Sequence, residues 1–186
     1  MKIRYLALNL IIFLITNLIF SQKMDSKLSL TSKDFENKNQ SELFDQIVDD
    51  VYARELDHDH IENYENPLKN LIYISNMHGQ VLNGGVTQFV DNSTGDSFEE
   101  TLKALKEIEA SQYVEILEKV KSIFPKSFVP KDMEERREII DSIWESLNEK
   151  QDAEMNELFE KLDDVYYDNQ EKLYNYVIEY TKKYII

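Results

Sequence analysis

The chain has 186 residues, 36 acidic and 21 basic, for a net charge of −15. That length suits one domain burying roughly two thirds of its unfolded surface in a single core, and that charge argues against nucleic acid as a direct partner, since phosphates are repelled, and for a basic one. With no cysteine, disulfides, thiolate metal sites and thiol nucleophiles are excluded, while the redox compartment stays open.

In chain order, Lys2 and Arg4 precede sixteen largely apolar residues, Tyr5 to Phe20, followed by Ser21 and Gln22. A charged start, an apolar run and a small residue read as a secretory signal peptide with a cut after Ser21. An uncleaved membrane anchor is the alternative, although the run is shorter than the ~20 residues that span hydrocarbon and contains Asn9, Thr16 and Asn17. A buried core helix is the third reading. In the first two the positive end stays inside and residues 1–21 engage the export machinery or the membrane, so the domain is exported: periplasmic, extracellular or anchored at the inner membrane. Without a working signal the chain is cytoplasmic. Residues 22–40 are polar and aperiodic and read as a linker.

The folded domain is expected over residues 41–186. Ser41 is a good N-cap for a helix carrying Leu43, Phe44, Ile47, Val48 and Val51 and ending near Asp57. Pro67 suits the first turn of a second helix, with Leu68, Leu71, Ile72 and Ile74 inward until His78-Gly79 weakens it. Asp96 or Ser97 can cap a helix bearing Phe98, Leu102, Leu105 and Ile108, and Ser111 one bearing Val114, Leu117, Val120 and Phe124. Pro125 and Pro130 bracket a connector, after which helices are predicted over 134–147, 151–167 and 170–184. Strand alternation is absent, so the fold class is all-α, a single compact bundle of about seven helices.

Between the second and third of these helices Gly84 and Gly85 interrupt an apolar pattern. Glycine costs about 1 kcal/mol relative to alanine within a helix, so something must offset it. Close packing is favoured over a backbone-amide anion site, because a phosphate loop would place lysine and serine or threonine next, and here Val86 and Thr87 follow. Phe89 is assigned to the core.

The run Asn83-Gly84-Gly85, the apolar Val86, a gap, Gln88-Phe89, the Asn92-Ser93 turn with Gly95 and the Ala104-to-Ile108 helix resembles the C-terminal domain of the bacterial nineteen-kilodalton DNA-mimic protein family. The resemblance covers roughly Ser41 to Lys183. The family commonly has an aromatic where Val86 stands and a second where Val90 stands. Its motif residues Asn83, Gly84, Gly85, Gln88, Phe89, Asn92 and Gly95 read as structural. The resemblance implies a helical, non-enzymatic domain without cofactor, and acidic homodimers that occupy the DNA-binding surface of a basic protein such as a transcriptional repressor.

Charge is patterned most clearly after Pro130. Glu134, Glu138, Asp141, Glu145 and Glu149 recur at spacings of four and three, forming one stripe opposite Ile140, Ile143, Trp144 and Leu147. In the next helix Glu154, Glu157, Asp164 and Asp168 oppose Met155, Leu158, Phe159, Leu162 and Val165. Like charges four apart each cost roughly 0.2–0.5 kcal/mol, so helix stability did not select this face. Arg136, Arg137, Lys150 and Lys161 are the nearby bases. From Asp132 to Glu171 fifteen acids and four bases give −11 over forty residues, about one net charge per 5 Å of helix. Duplex DNA carries one per about 1.7 Å, so mimicry requires helices to converge or two subunits to pair. These nine carboxylates are the candidate partner-binding residues. A merely solvated face is the plain alternative. If the chain is exported, a basic envelope or toxin-like protein replaces a repressor as the complementary partner.

The best enzyme-like cluster is Asp57-His58-Asp59-His60 with Glu62 and His78. Four consecutive helical residues point in different directions and cannot converge on one ion, so no metal site is assigned and the cluster reads as a polar helix end. No catalytic residue is assigned either, because no G-x-S-x-G elbow accompanies the serines. Tyr166, Tyr167, Tyr174, Tyr176, Tyr180 and Tyr184 recur near the end as core edge or oligomer face.

Overall fold

The computed structural model describes residues 28–53, 61–62 and 64–184, and among these all regular structure is helical. The expected signal or anchor segment and the His58–His60 stretch lie outside the described residues. Eight α-helices are present among them: α1 (Ser32–Asn37), α2 (Gln40–Ala53), α3 (Asn66–Asp91), α4 (Phe98–Glu107), α5 (Ser111–Lys121), α6 (Met133–Ser146), α7 (Glu149–Asp168) and α8 (Gln170–Tyr184). Short 3-10 turns at Ser93–Ser97 and Pro125–Ser127 join α3 to α4 and follow α5.

The helix beyond the expected seven is α1, which lies in the stretch read as a linker. Two leucines attach it: Leu28 and Leu30 are buried, and Asp50 of α2 accepts from the backbone N–H and the hydroxyl of Ser29 at 2.6–2.8 Å. Six residues are too few for periodicity to reveal. The cap of α2 is Asn39 in place of Ser41: its side chain accepts from Glu42 N–H while Glu42 accepts from Asn39 N–H, each at 3.0 Å. This reciprocal box satisfies two donors that a helix start otherwise leaves open.

Helix α3 is the spine, against which α2, α4, α6, α7 and α8 all pack. Leu68, Leu71, Ile72, Ile74, Met77 and Val81 are nearly inaccessible along it, the i, i+3, i+4 stripe expected of a core helix. It runs through Gly79 to Asp91, twelve residues beyond the expected end. Gly79 leaves ordinary room for a side chain and simply sits in the helix.

The acidic helix α6 is fastened to the end of α3 by Arg136, which is fully buried. Its Nε donates to the carbonyl of Val90 (2.7 Å), Nη2 to the carbonyl of Asn92 (2.7 Å) and to Asp96 Oδ1 (2.9 Å), and Nη1 to the carbonyls of Pro130 and Lys131 (2.8 Å each). The carbonyls at a helix C-terminus have no intrahelical partner, and a guanidinium supplies five donors in a fixed fork. Gly95 makes room for this arrangement: a Cβ there would stand 2.6 Å from the Val90 carbonyl oxygen and 2.9 Å from Arg136 Nη2.

Replacing Arg136 with methionine takes a buried donor from each of those carbonyls, of which Asn92 keeps the N–H of Gly95. Urea unfolding should show a loss of about 3–5 kcal/mol, and Arg136→Lys should recover only part of it because an ammonium cannot span the fork. A loss below about 1 kcal/mol for Arg136→Met would mean that the joint is dispensable.

Candidate functional site

The glycine pair breaks α3. Gly85 lies at φ 78°, a left-handed conformation that favours glycine, and Gly84 at φ −172° is merely extended. The break releases backbone groups on both sides, and α7 takes them up with two residues four apart on one face. Asp163 accepts from Val86 N–H at 2.7 Å, and the Tyr167 hydroxyl donates to the Val81 carbonyl at 2.8 Å. A carboxylate at the start of the second half of α3 also meets the positive end of its dipole. A Cβ on Gly85 would fall 2.3 Å from Asp163 Oδ2. The expected close packing is therefore present, and the amide does face an anion, but the anion is the chain's own.

The other motif residues build the same corner. Gln80 Oε1 accepts from Gln88 Nε2 (3.2 Å) and Asn92 Nδ2 (2.6 Å), and the buried Phe89 stacks on Phe98 with centroids 5.9 Å apart. Asn83 and Gly84 are exposed at the break.

All nine candidate carboxylates, Glu134, Glu138, Asp141, Glu145, Glu149, Glu154, Glu157, Asp164 and Asp168, are exposed. Surface ion pairs engage three: Glu134 with Arg137 (3.5 Å), Glu154 with Lys150 (3.5 Å) and Glu157 with Lys161 (2.5 Å). The other six make no ion pair among the described residues. Arg137 is itself held by Asp91 at 3.1 Å, which leaves little positive charge to offset the α6 stripe.

Beneath the stripes the apolar sides of α6 and α7 are only half covered. Ile140, Ile143, Trp144, Met155, Leu158, Phe159 and Leu162 are all half-buried, while Val165, expected on the inner side, is exposed. Of these, Ile140, Ile143, Trp144, Met155 and Phe159 line an open groove of about 640 Å³ with the end of α3 and with Val120 and Phe124. Clefts of roughly 300–1,000 Å³ between bundle helices are the usual size of binding sites.

This exposed, acid-striped pair of helices stacked on a glycine-broken spine can be compared with known families. Residues 62–184 match the model of the family described as DMP19-like protein. The chain belongs to that family. No curated protein and no solved structure gives a further match. The matched DMP19-like span includes the glycine break, the Arg136 joint and both acidic helices, so the DNA-mimic resemblance of the motif extends over the whole candidate face.

Of the remaining sequence candidates, those among the described residues of this DMP19-like chain make packing and surface contacts. His78 is buried; its Nδ1 lies 2.8 Å from the Tyr166 hydroxyl, and the rings of Phe44 and Tyr174 stand edge-on at 5.0 and 5.8 Å. Burial pushes its pKa down to about 4. Glu62 is exposed and pairs with Lys69 at 3.4 Å. Among the described residues no three His, Asp or Glu side chains stand together as metal ligands. The late tyrosines form a core edge: Tyr166 and Tyr180 are buried, Tyr174 and Tyr176 half-buried, Tyr167 and Tyr184 exposed. Tyr180 accepts from Asn70 and donates to Glu107, each at 2.8 Å.

Two measurements check this geometry. Gly85→Ala forces a left-handed alanine against Asp163 and should cost about 1–3 kcal/mol in urea unfolding, whereas Gly84→Ala meets chiefly the movable end of Gln88 and should cost less. His78 stays neutral in the fold but gains a proton in the unfolded chain below pH 6.5, so stability falls as pH drops from 6.5 towards 4. Between pH 6.5 and 5 this amounts to roughly 1–2 kcal/mol, and His78→Gln should flatten that slope.

Proposed function

We propose that this DMP19-like protein works without catalytic turnover, as an acidic binding protein whose α6–α7 carboxylates occupy the DNA-binding surface of a basic protein. The observation that carries the reading is that all nine stripe carboxylates are exposed and six of them make no ion pair among the described residues. Like charges at i, i+4 oppose helix formation, so a face of this kind persists against local stability and is complementary to cationic surfaces. Two such helices flanking one groove supply more charge than one, and pairing of two copies would raise its density further towards that of a duplex. Family membership supports the same class of act.

A second reading rests on Lys2, Arg4 and the apolar run Tyr5–Phe20. With that segment acting as an export signal, the partner is a basic envelope or toxin-like protein outside the cytoplasm, met by the same carboxylates. Complementary charge speeds encounter in either case, and salt weakens it.

Capture from extracts of the native host, with the protein as bait, separates the two. A basic DNA-binding protein retained at low salt and displaced by duplex DNA is the expected result. Neutralising Glu134, Glu138, Asp141 and Glu145 to their amides should reduce capture roughly tenfold or more, as for a steered interface. A basic partner indifferent to duplex supports the envelope reading, and capture unaffected by the four amides would contradict both.

A further inference from the structure

The groove under the acidic stripes is a feature that charge mimicry leaves unused. A duplex surrogate needs carboxylates held outward, and it has no need of an uncovered apolar cleft beside them. Here Ile140, Ile143, Trp144, Met155 and Phe159 are half-buried around about 640 Å³ of open space, with Trp144 and Phe159 rings 6.4 Å apart. The space takes a row of apolar side chains, and half-covered aromatic and methionine side chains are the composition of surfaces that seat amphipathic helices.

Charge decides which helix fits. Asp141 follows Ile140 and Glu145 follows Trp144, so each stands about 100° round α6 from a lining residue, on the shoulder of the groove, and both are exposed. On the other wall Asp152 precedes Met155 by three residues, a neighbouring position on the α7 surface, and is exposed as well. The cation at this rim, Arg137, is already paired with Asp91. An acidic helix, or a second copy presenting its own α6–α7 face, would meet repulsion there.

We propose that the α6–α7 groove docks a cationic amphipathic helix of the partner, with apolar residues at i, i+3, i+4 and i+7 against Trp144 and Phe159 and with lysine or arginine over Asp141, Glu145 and Asp152. It rests on the proposed function only in sharing the α6 carboxylates. The partner is thereby held at two places, by charge on the stripes and by apolar insertion in the groove. Clamping of this kind lets a complex survive salt that would dissolve a purely electrostatic one.

Trp144 is the single tryptophan of the chain, so the groove reports its own occupancy. Titrating the full chain with a tryptophan-free, 18-residue leucine–lysine peptide of helical amphipathic pattern should give a saturable blue shift of Trp144 emission. A peptide of the same composition in scrambled order should bind at least tenfold more weakly, and a leucine–glutamate peptide should not bind. The surface double variant Asp141→Asn/Glu145→Gln, which leaves the core untouched, should weaken the lysine peptide several-fold and flatten its salt dependence. Ile143→Glu should abolish the shift, with circular dichroism checking that the helices are retained. Equal responses to patterned and scrambled peptides, or no shift with either, would overturn the proposal. So would Trp144 emission that is already blue-shifted without peptide and moves red on dilution, because the groove would then be covered by a second copy. Displacement of a natural partner by duplex DNA is a separate readout, so either idea can fail alone.

Discussion

One buried guanidinium joins three pieces of chain by donating to a carbonyl in each: the end of α3, the turn after it, whose Asn92 carbonyl also accepts from Gly95 N–H, and the connector leading into α6. An arginine in this position is costly to desolvate, and it is held only because all of its N–H groups find acceptors. The consequence for function is positional. Arg136 lies in the first turn of α6, so its attachment fixes which side of that helix faces the core, and by the helical repeat it also fixes where Glu138, Asp141 and Glu145 must face.

The glycine break does the same for α7. Asp163 and Tyr167 take up the groups that Gly85 releases, one on each side of the break, and thereby lock one face of α7 onto the spine. The stripe of Glu154, Glu157, Asp164 and Asp168 is left on the far side. Two polar joints, one cationic and one anionic, thus hold two helices whose own apolar faces are only half covered. Apolar burial alone would favour closing the groove over Trp144 and Phe159. The cleft nevertheless stays open with exposed carboxylates beside it, the arrangement that the proposed binding requires.

Much of this was legible in the sequence. The all-α class, the inward residues of α2, α4 and α5, and the outward direction of both acidic stripes follow from periodicity, and exposure obeys it at all nine stripe positions. Arg136, counted with the bases near the acidic stripe, stands four residues before Ile140 and seven before Ile143 and therefore on their face. That spacing was the available signal. The partner of the glycine pair was not readable, because Asp163 lies 77 residues after Val86 and no local pattern links them. The groove was equally hidden: an apolar stripe predicts a face that seeks cover, and only the packing of α3, α5, α6 and α7 determines how much cover it receives. The length of α3 was underestimated because Gly79 was treated as a stop when it has room to sit within the helix.

The central claim is that one face, α6 with α7, carries the binding activity. Hydrogen exchange of the complex with its captured basic partner, compared with the free protein, tests this directly, since protection develops where surface is covered and backbone motion is damped. Slowed exchange concentrated in α6, α7 and the Gly84–Asn92 end of α3 is the predicted result. Protection confined to α2 and the tyrosine edge of α8, with α6 and α7 unchanged, would contradict it.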